Sequence, residues 1–324
     1  MHKNPLLSII IPTYNRPEFL PRAVQSALNA APNGDVEVIV VPNGGDESWR
    51  ESLFNLMNDS RLVVSPIGKG HANAARNHGL QLATGKYVRF LDDDDFFYSA
   101  VAVKQLEKLI ELDADISYGQ ITKTDEVGKI LEIAKQLDTD DFIEAAISPG
   151  NSTATCALVI KRSITENCVW DENINKNQDV YWAWELCKKH ELKSFKFKQS
   201  VAAWVQHSKG IRVSKGHHKG LVAKTRVEYL LALHNKLKDR NRLTTSRKKA
   251  IAENLWSCIH DGMMFQPLFW LRIGQFAYTL DHKSRPNITL YKNTFIRRIN
   301  PILIEMALIP WRWFRILLGK KYTT

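Results

Sequence analysis

The sequence predicts an α/β protein: a mainly parallel sheet with helices on both faces, followed by a basic, mainly helical C-terminal extension. Three observations carry this. Short β-branched apolar runs alternate with helix-period segments through the first 120 residues. Several of the runs end in polar or acidic residues, as strands do where an open α/β sheet binds ligands. Basic residues crowd the last third of the chain.

Leu6–Ile11 and Val36–Val41 are predicted buried parallel strands. Between them Pro17 opens a helical pattern (Phe19, Leu20, Ala23, Val24, Ala27, Leu28) that ends at Pro32-Asn33-Gly34. Glu47–Met57 is a second predicted helix, Leu62–Val64 a short strand, and Ala72–Leu82 a third helix stopped near Gly85. Tyr87–Leu91 is the next strand, Val101–Leu112 a helix and Ile116–Ile121 a strand. Beyond residue 123 the pattern loosens. Asp125–Gly128 has turn character, Thr155–Ile160 strand character and Val180–Lys189 helix character. A helical stretch runs through Leu230, Leu231 and Leu233, and the Trp- and Phe-rich remainder is broken by Pro267, Pro286, Pro301 and Pro310. The implied division is 1–215 as an α/β domain, its pattern changing near residue 120, and 216–324 as the extension.

With 324 residues, 44% hydrophobic and 24% charged, the chain can build a large core in one or two domains. Its net charge of +11 is uneven. Residues 1–208 hold 22 Lys+Arg against 28 Asp+Glu, a net of −6, whereas residues 209–324 carry +17. Such asymmetry suits an anionic partner: a membrane surface, an anionic ligand or nucleic acid. Cys156, Cys168, Cys187 and Cys258 lack C-x-x-C or zinc-ligand spacing, which predicts reduced thiols in a cytosolic protein. The first apolar run is too short for a secretory signal, and no stretch reaches the ~18 apolar residues of a membrane span.

The chemistry gathers at the strand ends. Four consecutive carboxylates, Asp92 to Asp95, follow an apolar strand and precede Phe96-Phe97. Such a cluster repels itself, and a hard divalent cation, Mn²⁺ or Mg²⁺, is the usual way to hold it. Pro12-Thr13-Tyr14-Asn15-Arg16 ends the first strand, Pro42-Asn43-Gly44-Gly45-Asp46 ends the second, and Ala75-Arg76-Asn77-His78-Gly79 lies on the third helix.

In this order the four motifs resemble the family 2 glycosyltransferases, nucleotide-sugar enzymes of the GT-A fold, over about residues 6–215, which implies that 1–215 is a catalytic domain with a donor-binding part (1–120) and an acceptor-side part (121–215). The resemblance implies that Pro12, Thr13, Tyr14, Asn15 and Asn43 line the base and ribose site, with Arg76 at the diphosphate or base. Asp92 to Asp94 would be the D-x-D motif: Asp94 the metal ligand, Asp92 and Asp93 towards ribose and metal-bound water. Asn43 stands where the family usually has aspartate, and the stretch from Gly70 to Arg76 is about one residue longer than the family pattern. The family's acidic pair before an aromatic helix maps to Gln178-Asp179, so Asp179 is the implied general base. His207 lies where relatives carry a histidine close to metal or diphosphate. Ser208 to Ser214 would form a loop over the donor, with Lys209 and Arg212 available to phosphate.

The implied activity is inverting, metal-dependent transfer of a sugar, UDP-linked by preference, to a saccharide or lipid-linked glycan in surface polysaccharide or lipopolysaccharide synthesis. The aliphatic segment Ile302–Leu308 and the Trp- and Arg-bearing segment Trp311–Leu318 suit an anionic bilayer surface as well as helix packing. The implied location is cytoplasmic, peripheral on the inner face of the cell membrane. A nucleotidyltransferase would normally show a Gly-rich first loop, which Pro12–Asn15 lacks. A nucleic-acid-binding role has no recognised motif behind it.

Overall fold

The computed structural model of the chain describes residues 4–207, 219–264, 266–286 and 288–318. It forms two compact units, Met1–Ala146 with Gly150–Val213, and Ile147–Pro149 with Ser214–Thr324.

The first unit alternates strand and helix as the sequence predicts: β1 (Leu7–Thr13), α1 (Leu20–Leu28), β2 (Val36–Pro42), α2 (Trp49–Ser52), β3 (Leu62–Val64), α3 (Ala72–Leu82), β4 (Tyr87–Phe90), β5 (Phe96–Phe97) and α4 (Ser99–Glu111). There follow β6 (Ile116–Thr124), β7 (Ile130–Ile133), α5 (Phe142–Ile147), β8 (Leu158–Lys161), α6 (Gln178–Lys189) and β9 (Ser194–Val205). One sheet runs β3-β2-β1-β4-β8-β6-β9-β5, with β7 hairpinned onto β6. Its long ladders are parallel, β1–β2 over seven residue pairs and β6–β9 over nine, while each antiparallel ladder joins only two or three.

All seven residues of β1 are buried because it lies between β2 and β4, which is why it reads as an unbroken apolar run. Helix α1 buries Leu20, Ala23, Val24, Ala27 and Leu28, one face at helical spacing. It begins three residues after Pro17, and Pro21 occupies its first turn instead. Helix α3 lies close on β1, since a Cβ on Gly79 would stand 2.4 Å from Ile10 Cγ2. Two stretches depart from expectation. The helix predicted over Glu47–Met57 is a single α-turn followed by a 3₁₀ turn at Phe54–Leu56. The strand predicted from Thr155 starts at Leu158, after a 3₁₀ turn.

The second unit comprises α7 (Lys219–Asp239), α8 (Thr245–Gly262), α9 (Pro267–Leu280) and α10 (Pro301–Leu317). Trp256 and Trp270 are buried in it, and a Cβ on Gly262 would stand 2.0 Å from the Trp270 ring, so α8 and α9 meet closely there. Pro267 and Pro301 open helices, and Pro310, read from the sequence as a break, lies within α10. All four cysteines are buried and free of disulfides. Among the described residues no helix is long and apolar enough to cross a membrane.

Candidate active site

The parallel ladders bring the carboxyl ends of β1, β2 and β4 to one edge. Pro12 is buried in β1 opposite Val41. The buried Thr13 carbonyl accepts both the Asn43 backbone N–H (3.1 Å) and the Asn43 Nδ2 (2.8 Å). The second bond uses the donating half of an amide, which an aspartate lacks. Asn43 is thereby tied to the end of β1. Tyr14 is 57% exposed, and its ring lies against Gly44, whose Cβ would stand 3.0 Å from Tyr14 Cε2. Gly44 has φ +67°, in the left-handed region where glycine is at ease. Asn15 has φ +53° and donates its backbone N–H to Asp46 Oδ2 at 2.8 Å.

The four aspartates are not equivalent. Asp93 and Asp95 are buried, whereas Asp92 and Asp94 are half-buried. Asp95 accepts the Val205 N–H from the end of β9 at 2.9 Å. Its burial, together with the neighbouring carboxylates, raises its pKa well above the usual carboxylate range. Asp93 accepts from the Tyr14 backbone N–H (3.3 Å) and from Arg16 Nη1 (3.1 Å). Burial pushes it up to about 7, against the opposing pull of Arg16. Arg16 also pairs with Asp94, so one guanidinium spans two members of the run.

Arg76 is buried on α3. It donates to Asp92 Oδ1 at 2.7 Å, to Asn73 Oδ1 at 3.0 Å and to Gln178 Oε1 at 3.0 Å, and its guanidinium lies 4.7 Å over the Trp170 ring. Trp170 in turn stacks on Trp182 of α6, with centroids 4.7 Å apart and planes 5° from parallel. The acid run and the first turn of α6 are thus joined through one side chain. Asp179 sits in that first turn, after Asn177 in left-handed conformation at φ +52°. It accepts Thr153 Oγ1 at 3.3 Å. Desolvation raises its pKa, Asp92 adds to the rise, and Arg76 opposes it.

His207 Nε2 lies 2.9 Å from Asp94 Oδ2, and its ring packs 4.5 Å from Phe19. No cluster of three or more His, Cys, Asp or Glu side chains forms a ready-made metal cage among the described residues. Asp94 Oδ2 and His207 Nε2 have the spacing of two ligands of one cation, although Arg16 occupies the same Asp94 oxygen in this structure. Adjacent ligands of an octahedral ion at ~2.1 Å stand roughly 3 Å apart. Ser208 to Ser214, with Lys209 and Arg212, lie outside the described residues.

Residues 8–166 match the model of glycosyl transferase family 2. The chain carries a family 2 glycosyltransferase domain. Two relatives named as sugar transferases are each 29% identical. One is an uncharacterized glycosyltransferase of Haemophilus influenzae, aligned over 49% of this chain and 63% of its own length. The other, from Campylobacter jejuni, is named GalNAc(5)-diNAcBac-PP-undecaprenol beta-1,3-glucosyltransferase and aligns over 55% and 59%. The chain therefore spans less than two thirds of either. Staphylococcus aureus TarS 1-349, crystallised with UDP-GlcNAc, has the same GT-A fold, with TM-score 0.64, 15% identity and coverage of 98% of this chain and 93% of that one. The likeness of fold therefore continues beyond residue 166, where the match to the family model ends.

Three further residues belong to this cluster without having been singled out from the sequence. Arg16 neutralises Asp93 and Asp94, Asp46 positions the Asn15 backbone, and Thr153 reaches Asp179. Only Arg16 and Asp46 carried any signal, as charged residues within the two strand-end motifs. Nothing around Thr153 marks it.

Proposed function

We propose that the chain is an inverting glycosyltransferase that moves a sugar from a UDP-linked donor to a saccharide on a lipid carrier at an anionic membrane surface. The observation that carries this reading is the Arg76 bridge, which ties the outward-facing Asp92 to the helix turn that holds Asp179. The donor's leaving group and the acceptor's proton would then be handled at one edge of one sheet. The crystal structures of TarS with UDP and UDP-GlcNAc support uracil as the base, and the undecaprenol-linked substrate in the Campylobacter relative's name supports a lipid-linked acceptor.

On this reading the exposed Tyr14 ring and the strand-end group at Asn43 receive base and ribose. Asp179 takes the proton of the acceptor hydroxyl at a carboxylate oxygen. The acceptor oxygen, freed of that proton, then attacks the anomeric carbon from the side opposite the nucleotide diphosphate, which departs as its bond to that carbon breaks, so a single displacement inverts the centre. A carboxylate whose pKa is raised by burial is a better match to this task than a solvated one, because base strength rises with pKa. Asp94 and His207 would hold Mn²⁺ or Mg²⁺, whose charge would offset that developing on the diphosphate. Arg16 holds Asp93 and Asp94 in place until donor and cation enter.

The test is a screen of UDP-, GDP-, CMP- and dTDP-sugars for hydrolysis and thermal stabilisation, with and without Mn²⁺. Release of UDP that depends on Mn²⁺ is expected. Salt-sensitive RNA binding with no response to any nucleotide sugar would overturn the reading.

A further inference from the structure

Helix α10 is built inside out. At 100° per residue, Leu303, Met306, Trp311, Trp313, Phe314 and Leu317 fall on one face spanning roughly 160°. All six are exposed, Leu317 by 80%. The opposite face buries Pro301 and two charged side chains, Glu305 and Arg312. Arg312 Nη2 donates to Glu305 Oε2 at 2.9 Å, and His260 Nδ1 of α8 lies 3.1 Å from both Glu305 oxygens. The Tyr291 hydroxyl lies 3.4 Å from Glu305 Oε1. These bonds lock the rotation of the helix. Rolling it to hide the aromatic face would strip buried charges of their partners, which is costlier than leaving apolar side chains in water.

The outward face therefore awaits a cover, and the charge of the segment that carries it says which. Apart from the buried Arg312–Glu305 pair, residues 282–318 contain six Lys and Arg and no acid. Arg315 lies 4.8 Å over the Trp311 ring, cation and aromatic together as at a bilayer interface. A second copy docked face to face would bring these cations together with no exposed carboxylate in the segment to pair them.

We propose that α10 lies in the headgroup region of an anionic bilayer, its Trp313–Leu317 face inserted and its Glu305–Arg312 face towards the protein. A helix of 17 residues with this division lies on a membrane and does not cross it. The proposal deepens the lipid-linked acceptor reading but is tested without donor chemistry, so each can fail alone.

Flotation of the full chain with phosphatidylcholine vesicles and with mixed phosphatidylcholine–phosphatidylglycerol vesicles decides it. Binding to the anionic vesicles only, weakened by high salt, is expected. Trp313→Ser with Phe314→Ser and Leu317→Ser should lower partitioning at least about tenfold. Arg297→Glu with Arg298→Glu, on another part of the segment, should weaken it by a similar factor while leaving the thermal melt in place. Wild-type protein that stays soluble beside anionic vesicles, or a triple variant that binds as well as wild type, overturns the proposal. So does self-association in sedimentation that the triple variant abolishes without any vesicle binding.

Discussion

Replacing Arg76 by methionine separates the two jobs of the guanidinium: holding the fold together and tuning the base. The long apolar stem is kept and the fork removed. Three hydrogen bonds go, to Asp92 (2.7 Å), Asn73 (3.0 Å) and Gln178 (3.0 Å), with the charge over Trp170. A bond to a charged group contributes about 1.5–3 kcal/mol when buried. The Asp92 side chain is 39% exposed and can rehydrate, so its share falls to about 1 kcal/mol. The two amide partners add about 1 kcal/mol each, and the cation–π contact up to about 1 kcal/mol. The guanidinium no longer has to be desolvated, which offsets part of this. The net expectation is a loss of about 2–3 kcal/mol in urea unfolding. The second effect is on pH dependence. Arg76 lowers the Asp179 pKa against desolvation and Asp92, both of which raise it. Without Arg76 the carboxyl holds its proton to higher pH, so the acid limb of kcat/KM for sugar transfer moves upward. The assay is a pH–rate profile of UDP release in the presence of acceptor, beside a urea titration of the same protein. A limb that stays put or moves down, with stability unchanged, would refute the linkage of acid run and base through Arg76.

Asp179→Asn should leave UDP affinity close to wild type and lower turnover by about 10²-fold or more, measured by calorimetry and steady-state kinetics. Asp94→Ala should remove the Mn²⁺-dependent part of UDP affinity, and an unchanged Mn²⁺ response in calorimetry would relocate the cation. Gly79→Ala places a methyl 2.4 Å from Ile10 Cγ2 and should destabilise the first unit by about 1–3 kcal/mol in thermal unfolding, with the donor-site residues chemically intact.

The strands nearest the site were the most legible. Leu7–Thr13 and Val36–Pro42 are central and buried on both faces, so burial itself writes a continuous β-branched run. Strand β9 was missed although it is the longest, at 12 residues. Its first half, Phe195-Lys196-Phe197-Lys198, does alternate with period two, but most of it is half-exposed or exposed, and its ladder to β6 shifts register at Gly119–Ile121. The helix predicted after β2 shrank because Leu53 is its sole fully buried residue beyond Trp49, while Phe54 is 74% exposed. Polar Asn55, Asn58 and Asp59 favour turns there. At the site, residue types and order were readable, but partners were not. Gln178 reads as a degraded acidic pair; in the folded protein its carbonyl receives Arg76, and a carboxylate at that position would compete with Asp92 for the same cation. That Trp311–Leu318 suits a bilayer surface was readable, but the burial of Glu305 and Arg312 on the other face of α10 was not, because a helix with Glu and Arg inside and Trp outside reverses the usual inference from amphipathic pattern.

The alternation of burial along Asp92 to Asp95 bears on how such a chain could drift. Asp95 fastens the end of β9, two residues before His207, and Asp93 fastens the turn after β1. Both are needed for the shape of the protein whether or not any sugar is moved. Asp92 and Asp94 are half-buried and bind side chains, Arg76 for the first and Arg16 and His207 for the second, so the backbone of the fold asks less of them. A descendant released from catalysis but still selected to exist would keep the inner two aspartates and lose the outer two.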